Sequence, residues 1–189
     1  MREFLYYSKK AVTSGKLIQD DLMKAGRMDI VLNVFIQIFF ISNKMRGDVK
    51  LHLVFEGAGG KPKHLVFVSN SAMPISKKDL TGLIKRMLYK SSSELKEVFP
   101  GCFVEDRNFE QVLNLLDKEG KRILILDKKG IDIRDLQFTG NEVFIIGDQE
   151  GFGKKKKFLR GFKKVSVGPA VYFASQVGIL INNEIDRKT

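Results

Sequence analysis

Apolar residues recur along the chain with two periods, and their alternation predicts the secondary structure. REFLYY at residues 2–7 reads as a first strand, followed by a polar loop through SKKAVTSGK and an acidic cap region QDDL. The long apolar run MDIVLNVFIQIFFIS from Met28 predicts a buried helix over about Ala25–Ser42. Asp29, Asn33 and Gln37 interrupt this run, and it falls short of the ~20 apolar residues that a membrane span needs. It is therefore assigned to the protein interior and to a contact with a partner subunit. DVKLHLVFEG and HLVFV flank GAGGKPK, the pattern of a hairpin with a flexible tip. Ser76 then caps KKDLTGLIKRMLYK, whose Leu80, Leu83, Ile84, Met87 and Leu88 fall on one helical face.

After the break SSS, the pattern predicts a short strand over Cys102–Glu105, a helix over Phe109–Lys118 stopped by Gly120, and the apolar strand RILILD. A strand over Glu142–Gly147 follows, then a glycine-rich loop, a short lysine-rich helix, the strand KKVSV, and a last helix entered through Gly168 and Pro169. Alternating strands and helices predict an α/β sheet with helices on both faces. No internal repeat or low-complexity linker divides the chain, so residues 1–189 are read as one domain, with an N-terminal extension before about residue 75.

With 189 residues and 43% hydrophobic content, the chain can bury a substantial core. A formal net charge of +11 favours an anionic polymer as partner, nucleic acid before a membrane surface. A lysine-rich surface kept for solubility is the plain alternative. The single cysteine, Cys102, excludes an internal disulfide framework and a multi-cysteine metal site. The start MREFLYYSKK lacks the apolar segment of a secretory signal, which together with the cysteine count points to the cytoplasm.

VFIIGDQEGFG, Val143–Gly153, concentrates the candidate chemistry. A phosphate-binding P-loop starting at Gly147 requires glycine where Phe152 stands, and a dinucleotide fingerprint starting at Gly151 requires glycine where Lys156 stands. EGAGGKP fails as well, because Pro62 follows its lysine and the segment lies between two strands. Asp148 and Glu150 would also repel a phosphate at close range. The loop suits a neutral or cationic ligand such as S-adenosylmethionine, which carries a sulfonium and no phosphate; a ligand-free β-to-α turn fits it equally well.

MREF, GRMDI, FFIS, MRGDV, VFIIGDQEGFG followed by FL, SVGPAVYFA and INNEID occur in this order from residue 1 to residue 186. In order and spacing the chain resembles the archaeal tRNA (pseudouridine54-N1)-methyltransferases of the SPOUT superfamily, which methylate position 54 of the T-loop. The resemblance implies a SPOUT methyltransferase fold: a mostly parallel sheet with a C-terminal trefoil knot, the knotted region covering about residues 121–189. True knots are very rare, so composition alone offers no route to this expectation. It further implies S-adenosyl-L-methionine as methyl donor, no metal, tRNA as substrate, no membrane, and a homodimer with the donor held by the knot loops at the subunit interface.

The resemblance places the donor among Leu126, Ile146, Gly147, Gly151, Val167 and Pro169. Glycines at 147 and 151 would admit a close backbone approach, and Ile146 and Val167 would line the base, with core packing the competing account of those two. Asp148 is the first candidate for a catalytic base or electrostatic partner, against a simple helix cap; Asp29 is the alternative. Arg2, Arg27 and Arg46 match family arginines suited to phosphate contacts, and Lys154 and Lys155 belong to a basic run that equally reads as a solvated face. The chain departs from its relatives in KKKK at 154–157, an acidic segment in them, and in Gln176 and Val177, where they carry histidine and cysteine. Two other functions fit the pattern: the same chemistry on an rRNA pseudouridine, and an inactive SPOUT-fold RNA-binding or assembly protein.

Overall fold

The computed structural model describes residues 1–42, 44–73 and 76–188. In chain order the elements are β1 (Arg2–Ser8), α1 (Met28–Phe39), β2 (Phe40–Ile41), β3 (Lys44–Met45), β4 (Val49–Phe55), β5 (Lys63–Val68), α2 (Lys77–Lys90), β6 (Lys96–Phe99), β7 (Cys102–Glu105), α3 (Phe109–Lys118), β8 (Arg122–Asp132), β9 (Glu142–Gly147), β10 (Lys163–Ser166) and α4 (Ala174–Lys188). Short 3-10 segments occupy Gly15–Leu17, Ile133–Asp135 and Gly153–Gly161.

One mixed sheet runs β10-β8-β9-β1-β4-β5-β7-β6. The strands from β10 to β4 are parallel, and those from β5 to β6 join antiparallel. β1 sits between β9 and β4, with Tyr7 opposite Gly147 on one side and Val54 on the other. A strand in that position is covered on both faces, which is why FLYY, residues 4–7, carries no charged residue. Phe4 and Tyr6 enter the core with α1, α2 and α4, while Leu5 and Tyr7 enter the opposite core with α3, Phe152 and Leu159. Helices therefore cover both faces.

Three elements differ from the pattern expected of the sequence. β8 runs past the expected RILILD through DKKGID to Asp132, leaving nine residues, one 3-10 turn and a loop, for the crossover to β9. Gly130 makes that extension possible: a Cβ there would overlap the Val165 backbone of β10. The lysine-rich stretch is a 3-10 segment, not an α-helix. The last helix starts at Ala174, and residues 167–173 stay in a loop; Gln176 Oε1 accepts the Phe173 N–H at 3.0 Å and so caps the helix from its third residue.

α1 spends its apolar face inside the chain. Met28, Val31, Leu32, Val34, Phe35, Ile38 and Phe39 are buried, and α4 closes on it through Gly178, where a Cβ would lie 2.5 Å from Ile38 Cγ1, and through Asn182 Nδ2, which donates to the Ile38 carbonyl at 3.0 Å. The interior packing expected of this helix is thus made with α4 and the sheet. No described helix is long and apolar enough to cross a membrane.

A buried polar chain crosses β1, β4, β5 and β7. Glu3 Oε1, the His52 ring, the His64 ring and Glu105 Oε1 follow one another at 2.8 Å, flanked by Lys50 and Lys121 on Glu3 and by Arg107 on Glu105. Burial pushes the His52 imidazole down to about 4 and lowers His64 as well, so both rings are neutral at pH 7.

Candidate active site

The carboxyl ends of β1, β8, β9 and β10 lie on one edge of the parallel half-sheet, where loops of an open α/β sheet converge on a ligand. There they enclose a cleft of about 770 Å³. Its wall takes Leu126–Lys128 from the middle of β8, Ile146–Phe152 from β9 and the glycine loop, and Val165–Gly168 and Ala170–Ala174 from β10 and the loop beyond. α1 closes it with Arg27, Asp29, Ile30 and Asn33, and α4 with Val177.

Asp148 organises the loop. The pairing of Tyr7 with Gly147 brings Ser8 and Lys9 beside it. One carboxylate oxygen accepts from the Lys9 N–H at 3.0 Å and the Ser8 hydroxyl at 3.3 Å, and the other from the Glu150 N–H at 2.9 Å. Glu150 is ion-paired with Lys10. Both acids that would repel an anion are therefore occupied by the end of β1, so the electrostatic argument against phosphate loses force and the failed motifs at Phe152 and Lys156 carry that exclusion.

Across the cleft stands Arg27, the one non-glycine among the described residues with positive φ, at 65°. This left-handed conformation is sterically costly and is held where surrounding structure fixes it. The guanidinium meets Asp29 in a two-point pair at 3.0 and 2.9 Å and reaches Gln149 Oε1 at 3.4 Å. That pairing holds the Asp29 carboxyl below the usual carboxylate range.

The two glycines of the loop serve different needs. A Cβ on Gly147 would lie 3.1 Å from Gly151 Cα and 3.3 Å from the Phe152 ring, so the loop's own fold fills that space. Gly151 has φ +64°, a left-handed turn that glycine adopts without strain, and the space around it is open.

A family model described as putative SAM-dependent RNA methyltransferase matches residues 1–189, the full chain. The chain belongs to that family. Among its relatives, the tRNA (pseudouridine(54)-N(1))-methyltransferase of Methanococcoides burtonii is 35% identical over 99% of this chain and 96% of its own length. The protein of the same name from Methanococcus maripaludis is 33% identical over 99% of both chains, and a putative pseudouridine methyltransferase of Photobacterium profundum is 30% identical over 98% of both. The crystal structure of Archaeoglobus fulgidus Nep1 bound to S-adenosylhomocysteine shares the fold, with a TM-score of 0.65, 14% identity and coverage of 98% and 97%. The resemblance read from the sequence fragments holds over the whole chain.

Of the positions that this RNA-methyltransferase family resemblance singled out, Leu126, Ile146, Gly147, Gly151, Val167, Asp148, Asp29 and Arg27 line the cleft. Pro169 lies between two lining residues, Gly168 and Ala170. Arg2 and Arg46 lie elsewhere, converging on Asp186 of α4 at 2.6 and 2.7 Å with side chains only 10% exposed; Arg2 also pairs with Asp48. Lys155 turns inward to Glu56 and Glu110, and Lys154 does not line the cleft. Within the chain, then, Arg2, Arg46 and Lys155 each hold a carboxylate of a distant element.

Sequence reasoning did not single out Asn33, Lys128, Lys156 and Tyr172 for the site. Asn33 had a signal: with Asp29 it forms an i, i+4 polar pair in an otherwise apolar helix, and both face the cleft. The departures from the family also find places. Gln176 caps α4, and Val177 contributes to both the core and the cleft wall.

Proposed function

We propose that this chain transfers a methyl group from S-adenosyl-L-methionine to N1 of the pseudouridine at position 54 of tRNA. The observation that carries the reading is the cleft at the carboxyl edge of the sheet, in a chain that aligns end to end with enzymes of that name.

The residues present fit the donor. About 770 Å³ suits a ligand of its size, Leu126, Ile146, Val165 and Val167 offer apolar surface to adenosine, and Asp29 and Asp148 place carboxylates where a sulfonium would be welcome. When bound, the donor supplies an electrophilic methyl group. We assign it to Leu126, Ile146, Gly147, Gly151, Val167 and Pro169. Asp148 fixes the loop through Ser8, Lys9 and Glu150 and so positions the site. The Arg27–Asp29 pair presents donors beside an acceptor, the complement of a uracil-type ring with carbonyls beside N–H groups. Asp29, held ionised, accepts the N1–H, orients the ring for in-line attack on the methyl carbon, and takes up the proton that N1 loses as the N–C bond forms.

Two further features belong to this reading. A SPOUT trefoil knot is supported by α4 lying against the β8–β9 connection, where Lys188 Nζ donates to the carbonyls of Arg134 and Leu136. A homodimer is supported by Val171, 82% exposed, and Phe173, 76% exposed, apolar residues beside the cleft that a second copy would cover.

Purified protein, the methyl donor and a T-arm RNA hairpin containing pseudouridine should yield a one-methyl mass gain on that nucleotide. A small-subunit rRNA hairpin in parallel separates the related chemistry. No gain on either RNA, with donor present in excess, overturns the proposal.

A further inference from the structure

We propose that Lys128 and Lys156 form a two-point phosphate grip at the cleft, holding the RNA backbone on either side of the nucleotide that enters it. This rests on the RNA-methylation reading above and adds the residues that seize the polymer.

The ionic groups around the cleft pair off almost completely. Arg27 is taken by Asp29, Asp127 by Lys164 at 2.7 Å, Glu150 by Lys10, and Asp148 by amides and the Ser8 hydroxyl. Lys128 and Lys156 are what is left: both line the cleft, both are exposed, and neither has a carboxylate within ion-pair distance among the described residues. They come from different walls, Lys128 from β8 and Lys156 from the 3-10 segment after the glycine loop.

The run Lys154–Lys157 is consequently not one patch. A 3-10 segment turns about 120° per residue, so consecutive lysines point in three directions. Lys155 goes inward to Glu56 and Glu110, and the next residue, Lys156, lands on the cleft. An RNA nucleotide that reaches chemistry inside a cleft must leave its stack, and its flanking phosphates then stay outside against the rim. Two lysines from separate elements of the cleft wall meet that need as point charges, with no demand on base identity.

Binding of a synthetic T-arm hairpin, measured without methyl donor over a salt series, tests the grip on Lys128→Gln, Lys156→Gln and the double variant, with Lys118→Gln as control. The slope of log affinity against log salt should flatten by about 0.7 per lysine and about 1.4 for the double variant, leaving Lys118→Gln at the wild-type slope. Calorimetry should find the donor affinity of all variants unchanged. An unaltered slope in the correctly folded double variant overturns the proposal. So does a weakened donor affinity with an unaltered slope, which would put the lysines on the donor's own carboxylate. Wild-type protein that binds RNA with the expected slope but takes no donor would sink the methylation reading and leave the grip standing.

Discussion

Arg2 and Arg46 carry the sharpest contrast between an RNA-gripping and a structural role, and Asp186 is the place to test it. Its carboxylate receives both Nη atoms of Arg46 at 2.9 and 2.7 Å and Nη1 of Arg2 at 2.6 Å, tying β1 and the segment after β3 to the last turn of α4. The two guanidiniums hold the Asp186 carboxyl below the usual range, Arg46 foremost. Asp186→Asn removes the charge and leaves two largely buried cations facing each other. Hydrogen bonds to charged groups contribute roughly 1.5–3 kcal/mol each. The Asp186 side chain is 39% exposed, so screening reduces the total to about 2 kcal/mol. For a chain of this length that is a fall in Tm of about 4–8 °C. Arg46→Gln should cost a similar amount, and thermal melting reads both. The salt slope of T-arm binding should not change in Arg46→Gln. A flattened slope with an unchanged Tm would refute the reasoning and return Arg46 to the RNA.

Acid should unfold the protein early. His52 and His64 are buried neutral, whereas in the unfolded chain imidazoles bind protons near their ordinary 6.5, so stability is full above that pH and falls as pH drops, by about 3 kcal/mol for His52 alone at pH 4. Burial pushes the Glu3 carboxyl up, but His52, Lys121 and Lys50 together hold it far below the ordinary 4.5, which adds a further loss below pH 4.5. Denaturant midpoints across the range check this; a rise between pH 7 and 5 would mean that the chain from Glu3 to Glu105, with three contacts and only two imidazole protons, takes up a third proton in the fold. Asp148→Ala, by freeing the glycine loop from Ser8 and Lys9, should weaken donor binding about tenfold in calorimetry while leaving the RNA salt slope unchanged. Gly178→Val should lower stability by about 1–3 kcal/mol through overlap with Ile38, and shortening Ile38 to alanine in the same chain should recover part of the loss.

Elements with chemical punctuation were legible. α3 runs over Phe109–Lys118 as expected because Asn108 and Gln111 form a capping box and Gly120, at φ +73°, lets the chain turn away. β9 ends at Gly147, where a Cβ would crowd Gly151 Cα and the Phe152 ring. Elements whose own residues carry no apolar pattern were not. β6, KEVF, is an exposed edge strand with no apolar alternation, and the second half of β8 is polar and exists because β10 pairs with it after a register shift at Lys164/Val165. In the site, the glycine loop and Asp29 stood out by residue type and resemblance. The choice of Lys156 over Lys155 did not, because it depends on the phase of a 3-10 turn and on Glu56 and Glu110, respectively 99 and 45 residues away in sequence from Lys155.

The acids of VFIIGDQEGFG acquire their meaning from the first strand. Read alone, Asp148 and Glu150 make a negative loop, and the natural inference is repulsion of any anion. β1 reverses that: its place beside β9 delivers Ser8 and the Lys9 amide to Asp148, and Lys10 to Glu150. The loop's charge is thereby spent on its own positioning, and the groups left uncompensated at the cleft are lysines. A cleft whose acids are internally satisfied and whose free charges are exposed cations suits two ligands at once, a small neutral or cationic molecule against the loop and a polyanion across the rim. That division is what transfer from a sulfonium donor to a nucleotide within an RNA chain requires.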